Sequence, residues 1–312
     1  MRRAAAEAGH GPRIILFSLA LAILLFRPRL ALASPATFIT ALPVSKDQIV
    51  ARLSALGSSY RDASAGSDNI NVARFPVTFL YGATSRWALA LQPGAQIGQM
   101  TQGGSASGSS GASDTLLFLR YTLLDKDWPR NTFRIAPVAG AYLPTGFNDA
   151  SGPSGRLPSP LQSGSGSADS LLGLTAAWYN PRYGTSWDAT WRHNPPASAS
   201  FDLGDTARAD GQFELRLWPR TLPKDHVPDF IWADFETNLV WNGLTGVPDA
   251  ANGGFAWLGW AGLEYQSVFW EAGALAGWPL AQNIPNGASS RGMSVLVFAE
   301  YYLSMPSWNN FK

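Results

Sequence analysis

Stretches of about ten residues in which apolar and polar side chains alternate recur along most of the chain. Past residue 33, no segment approaches the roughly 18 uninterrupted apolar residues that a membrane-crossing helix needs. A period of two places successive side chains on opposite faces, so these stretches read as strands and a bundle of membrane helices is excluded. The clearest runs from Ala207 to Trp218. Arg208, Asp210, Gln212, Glu214 and Arg216 fall on one face, with Ala209, Gly211, Phe213, Leu215 and Leu217 on the other. A soluble sandwich would show the same alternation, so the pattern alone leaves two all-β readings open.

The connections separate them. Strands are expected near 47–57, 72–82, 87–99, 115–124, 132–142, 170–179, 185–194, 207–218, 230–242, 255–266, 268–280 and 292–303. Long links, 101–114, 143–169 and 243–254, then alternate with short ones, 83–86, 180–184 and 266–268. Long loops at one end and tight turns at the other mark an outer-membrane barrel, and an even strand count brings both ends of the chain back to one side. The turn near 219–229 is longer than this scheme prefers. The Gly/Ser run from Gly103 to Ser113 reads as a mobile loop, or otherwise as a linker between two domains.

Aromatic residues support the barrel. Trp87, Trp178, Tyr179, Trp187, Trp218, Trp232, Trp241, Trp257 and Trp278 sit near strand ends, where interfacial girdles belong, while Trp191, Trp260 and Trp270 lie mid-strand. The 13 Trp are many for a chain in which only 14% of residues are charged. A membrane interface gives large amphipathic rings a place.

The first 33 residues read as a cleaved signal peptide. Arg2, Arg3 and Arg13 supply a basic start, Ile14 to Phe26 is apolar, and Ala31-Leu32-Ala33 is a small-x-small site before Ser34. Arg27 and Arg29 are atypical between the apolar run and the site, which leaves an uncleaved anchor as the alternative. Arg2-Arg3 lacks the surroundings of a twin-arginine signal. The expected organisation is 1–33 signal and 34–312 barrel, with strands over about 47–303. Without the signal, 18 basic and 21 acidic residues remain, so the mildly basic full chain gives no case for nucleic-acid binding. The chain has no Cys, which excludes disulfides, a lipidated Cys and thiolate metal sites.

Several stretches resemble one family. Thr40-Ala41-Leu42-Pro43-Val44-Ser45-Lys46, the run Asp114 to Thr122, Thr132 to Pro137, Leu143-Pro144-Thr145-Gly146, Leu157 to Ser167 and Arg216-Leu217-Trp218-Pro219-Arg220 are similar to the outer-membrane transporter family named after the meta-pathway of phenol degradation. The resemblance implies an outer-membrane barrel that passes small compounds, with aromatic ones as candidates, and brings no catalytic signature. The chain departs from such barrels at its end, where Tyr301-Tyr302-Leu303 is followed by Ser304 to Lys312 and Phe311 is only penultimate.

If apolar faces meet lipid, the opposite faces give a lumen lined by Arg120, Arg134, Asp188, Arg192, Arg208, Asp210, Glu214, Arg216, Asp234, Glu236, Glu264, Glu271 and Glu300. A midplane Arg or Lys on the lipid face would cost roughly 2–4 kcal/mol. The Arg residues of this set lie on strands four to eight, and strands nine to twelve bring only carboxylates. Two consequences are open: a transverse field that orients dipolar solutes, or cross-strand ion pairs that fill a narrow lumen.

Catalysis has little support. His10 falls in the signal, His226 in a turn, and only His193 near a strand end, so a lipid hydrolase using a His and a wall Ser has no distinctive pattern. Asp234 and Glu236 share a face, but two carboxylates do not specify Ca²⁺ and ion pairing is the simpler expectation. No phosphate-binding loop, His metal spacing or basic-aromatic stripe is present, so no cofactor, metal or nucleic acid is expected. The expected partners are membrane lipid, a small solute and the outer-membrane assembly machinery. The expected function is passive passage of small molecules, the alternative being a non-transporting barrel that displays loops for adhesion. No plug domain precedes the first strand, which argues against energy-coupled uptake.

Overall fold

The computed structural model describes residues 35–62, 68–102, 104–153, 155–196, 203–223, 225–243, 253–284 and 289–304. Residues 1–33, expected to be a signal peptide, and the C-terminal tail with Phe311 lie outside this set. Twelve long strands follow in chain order: β1 Gln48–Asp62, β2 Asp68–Gly82, β3 Trp87–Gln102, β4 Ser105–Tyr121, β5 Asn131–Leu143 and β6 Asp169–Tyr179. The second half continues with β7 Tyr183–His193, β8 Thr206–Trp218, β9 Phe230–Asn242, β10 Phe255–Gln266, β11 Trp270–Asn283 and β12 Ser289–Ser304. Each pairs antiparallel with its chain neighbour, and β1 pairs with β12 from Gln48 opposite Ser304 to Asp62 opposite Ser289. The sheet is closed, with no free edge at that seam.

The two faces are inverted relative to a soluble protein. Leu53, Phe79, Leu91, Leu119, Leu174, Phe213, Phe235, Leu239, Leu263 and Val297 point outward and are exposed, while the charged alternates point inward and are buried. A continuous apolar exterior of this extent is stable against lipid rather than water. Trp87, Trp187, Trp218, Trp241, Trp257 and Trp278 lie on that exterior, as do Trp191 and Trp270. Tyr179 and Trp232, expected in the girdle, are instead buried inside with Trp260. They fall on the inward parity of their strands, and the indole nitrogens of Trp232 and Trp260 donate to Gln266 (3.1 Å) and Asn238 (2.6 Å).

The strand count agrees with the sequence, but one loop does not. Residues 105–114, expected within a mobile loop, are the outer half of β4 and pair with β3 from Gln102 opposite Ser105 onward. Backbone pairing carries this hairpin, since small Gly, Ser and Ala side chains leave no apolar alternation to read. Prolines mark the weak points of the wall. Pro76 faces Gly94, the β2–β3 ladder skips to Phe79 opposite Leu91, and β3 bulges between Gln92 and Gly94, beside Pro93. Neither proline has an N–H to give, and a Gln92 to Thr78 side-chain hydrogen bond of 2.7 Å bridges the gap inside.

A short strand, Leu124–Trp128, adds to β5 beyond the barrel wall. At the opposite end, the connection after β5 folds inward instead of standing free. Its 3₁₀ turn Ser159–Leu161 puts Leu161 into a cluster with Tyr60, Ile70, Val72, Met100, Ala150 and Leu157. Gly98 makes room there, because a Cβ at that position would lie 2.5 Å from a Leu161 methyl, which would have to move.

Candidate lumen site

Barrel strands carry the lumen groups at a period of two, so their height follows from register. Near the end with the short turns lie Glu264 and Glu271, flanking the β10–β11 reversal, and Glu214, Asp234 and Glu300 four residues inside their strand ends. Glu214 faces Asp234 directly, and Glu271 faces Glu300. Toward the end with the long connections lie Arg192, Arg208 and Arg291, each within two residues of a strand terminus, together with Arg74. All thirteen residues expected in the lumen carry inward parity; Arg192 and Arg208 are half-buried and the other eleven are buried.

The expected separation of charge by strand is corrected. Arg52 on β1, Arg74 on β2 and Arg291 on β12 also point inward, so arginines are not confined to strands four to eight. Arg291 and the lumen residue Asp169 were hidden because each lies one position outside the strand expected from sequence. Arg52 and Arg74 lay inside expected strands on the polar parity, so the alternation itself held the signal. Arginines and carboxylates occur at both ends: Arg52, Arg120, Arg134 and Arg216 lie within four residues of the short-turn strand ends, and Asp169 and Asp210 lie toward the other.

Most lumen charges have a partner. Arg52 Nε donates to Glu300 at 2.5 Å and its guanidinium stacks over Phe298 at 4.5 Å. Arg192 pairs with Asp169 and stacks over Tyr142 at 4.0 Å. Arg208 pairs with Asp210 at 3.1 Å. Arg74 donates to Gln96 at 2.8 Å and to the Tyr60 hydroxyl at 3.4 Å. Arg134 turns toward the rim and pairs with Asp125 (2.9 Å) and Asp127 (2.8 Å) on the short extra strand. There, outside the membrane, the Thr132 hydroxyl and then Arg134 hold the Asp127 carboxyl below its ordinary range.

Two internal segments share the lumen. Residues 35–46 enter it ahead of β1 as a strap without regular structure. The Ala36 and Thr37 amides donate to the two Glu236 oxygens at 2.6 and 3.1 Å, and Asn238 donates to the Thr37 hydroxyl at 3.0 Å. Arg120 donates to the Thr40 carbonyl, and Arg52 to that of Pro35 at 2.8 Å. Ala41 and Leu42 then pack against Ala136, Ala177 and Tyr179, and Val44 packs against Val50 and Tyr302. Glu236 is thus held by backbone amides and not by the arginine pairing expected for it. The strap is a lumen occupant that the sequence reading, looking for a folded plug domain, did not anticipate.

The 144–168 connection is the second occupant. Asp114 accepts from the Gly146 amide (3.0 Å), the Ser165 amide (2.7 Å) and the Ser165 hydroxyl (2.8 Å). Gln96 donates to the Pro160 carbonyl at 2.9 Å, and Gln162 donates to those of Ala150 (3.0 Å) and Leu157 (2.8 Å). Several stretches that carry the family resemblance, around Thr40, Asp114, Gly146 and Leu157 to Ser167, are therefore the ones that fasten the strap and this connection. The two histidines among the described residues stand apart from the lumen: exposed His193 bonds Asp205 at 2.8 Å, and His226 bonds Asp225 at 2.9 Å.

Among solved structures, the chain is similar to the COG4313 outer membrane channel from Pseudomonas putida F1, at 15% identity and a TM-score of 0.55, over 86% of this chain and 99% of that one. The chain has the fold of an outer-membrane β-barrel. Weaker likenesses are to the β domain of the Bordetella autotransporter BrkA, at 11% identity and a TM-score of 0.46 over 81% of this chain and 98% of that one, and to the NanC porin, at 12% identity and 0.42 over 80% and 98%. No family model and no curated protein matches the sequence.

Proposed function

We propose that this barrel is a passive outer-membrane channel for small solutes, reached after export directed by residues 1–33 and insertion by the assembly machinery. The observation that carries the reading is the interior itself. Charged and amide side chains line the inside between apolar clusters, and a polar lining of this kind suits a path for water-soluble solutes. The occupants are a strap tied by side-chain to backbone hydrogen bonds and a folded connection, and both are thinner than a domain. Aromatic solutes, suggested by the resemblance to the phenol meta-pathway transporters, are compatible with the inward rings of Tyr60, Tyr142, Tyr179, Trp232, Trp260 and Phe298. The similar Pseudomonas putida protein is an outer membrane channel, which points the same way.

Display of loops for adhesion remains the competing reading. The connection of 144–168 counts against it, because its Leu157 and Leu161 are buried inward. Liposome swelling with purified protein tests the two: solute-dependent swelling is expected for a channel, and swelling equal to that of empty liposomes would favour display.

A further inference from the structure

Among the described residues, three lumen carboxylates have no ion-pair or hydrogen-bond partner. Glu214, Asp234 and Glu264 sit on the adjacent strands β8, β9 and β10, each 0–1% exposed. None of their six oxygen atoms has a hydrogen-bond partner among the described residues. Their neighbours are engaged elsewhere: Arg52 with Glu300, the Tyr302 hydroxyl with Glu271 (2.8 Å), and the Tyr179 hydroxyl with Ser186 (2.9 Å) and Gln212 (3.2 Å). Leaving ionised carboxylates buried without a cation costs several kcal/mol each. The barrel nonetheless clears space for them. An inward glycine stands opposite each one, Gly184 to Glu214, Gly262 to Asp234 and Gly273 to Glu264. A Cβ on Gly184 would meet a Glu214 oxygen at 2.8 Å, and one on Gly273 would meet the Glu264 side chain at 3.0 Å.

We infer that Glu214, Asp234 and Glu264 form a seat for the protonated primary amine of a small solute. The choice among cations follows from spacing. Strands stand about 4.8 Å apart, and Glu264 lies one diagonal step from Asp234, opposite Trp232. Among the described residues, no group of three Asp, Glu or His side chains converges enough to hold a metal ion. A primary ammonium reaches further: it carries three N–H donors, each spanning about 2.8 Å to an oxygen, so one group can satisfy carboxylates on three strands. The rings of Trp232, Tyr179 and Phe298, beside the seat, suit the cation and its alkyl stem. This deepens the channel reading and rests on it, since a solute would have to reach the seat through the lumen.

Isothermal titration calorimetry of the full-length barrel in detergent, with butylammonium, tetramethylammonium and calcium chlorides, tests the seat without requiring transport. Butylammonium is expected to bind, with tetramethylammonium, which has no N–H, at least about tenfold weaker. Glu264→Gln and Asp234→Asn should each weaken butylammonium by about tenfold or more, while Asp225→Asn, in an exposed turn, leaves it unchanged. Heat-dependent gel mobility confirms that each variant is folded. Absent butylammonium binding, equal affinity for tetramethylammonium, undiminished binding in both folded lumen variants, or calcium bound as tightly and lost in the same variants would each overturn the amine seat. Binding without current in a bilayer would instead overturn the channel reading and leave the seat standing.

Discussion

At the scale of single residues, the lumen wall separates pairs that hold the barrel together from groups that are poised for a ligand. Arg52 and Glu300 belong to the first kind. Their side chains are 12% and 7% exposed, so removing one partner strands the other. Arg52→Gln is expected to cost about 3 kcal/mol in the unfolding of the detergent-solubilised barrel, and the double variant with Glu300→Gln should recover most of it. Asp127 lies at the opposite extreme, at a wet rim. Because its folded pKa is depressed, its contribution is present above the ordinary aspartate range and is lost as pH falls through the lower folded value. Its side chain is 65% exposed, so Asp127→Asn should cost well under about 1 kcal/mol at pH 7 and nothing at strongly acidic pH, as a pair of denaturant titrations would show. The inward charges of β4 to β12 were legible because a period of two leaves them no other face. Partners were not legible, because ion pairing depends on cross-strand register, and a one-residue error in a boundary hid Arg291 and Asp169.

At the scale of elements, the strap and the inward connection define how much of the lumen is free. Neither has periodicity, so sequence reading placed them outside the strands and could go no further. Short motifs still marked them, since the hydrogen bonds of Asp114 and Gln162 need those side chains at fixed backbone positions. Residues 105–114 show the converse failure: side chains too small to alternate visibly still pair as a strand when the neighbouring strand fixes their register. Gly98→Leu is expected to drive its new side chain into Leu161 and dislodge the connection, which limited proteolysis between residues 144 and 168 would detect as faster cleavage in a barrel of unchanged heat-dependent mobility. Cleavage no faster than in the parent would mean that the contact does not hold the connection in place.

At the scale of the whole molecule, a closed wall, an apolar exterior and a charged interior together describe a barrel built around a polar path. The wall was largely readable from sequence, because lipid outside and polar groups inside impose alternation on every strand. The filling of the path was not, because the strap is held by backbone amides and carbonyls, which every residue carries. Single-channel recording in planar bilayers compares the full-length protein with a variant that lacks residues 35–46. Discrete, cation-favouring steps are expected from the parent, with larger steps once the strap is gone and Glu236 and Arg120 face open lumen. Silence from both proteins, each shown to be folded and inserted, would contradict a solute path through this barrel.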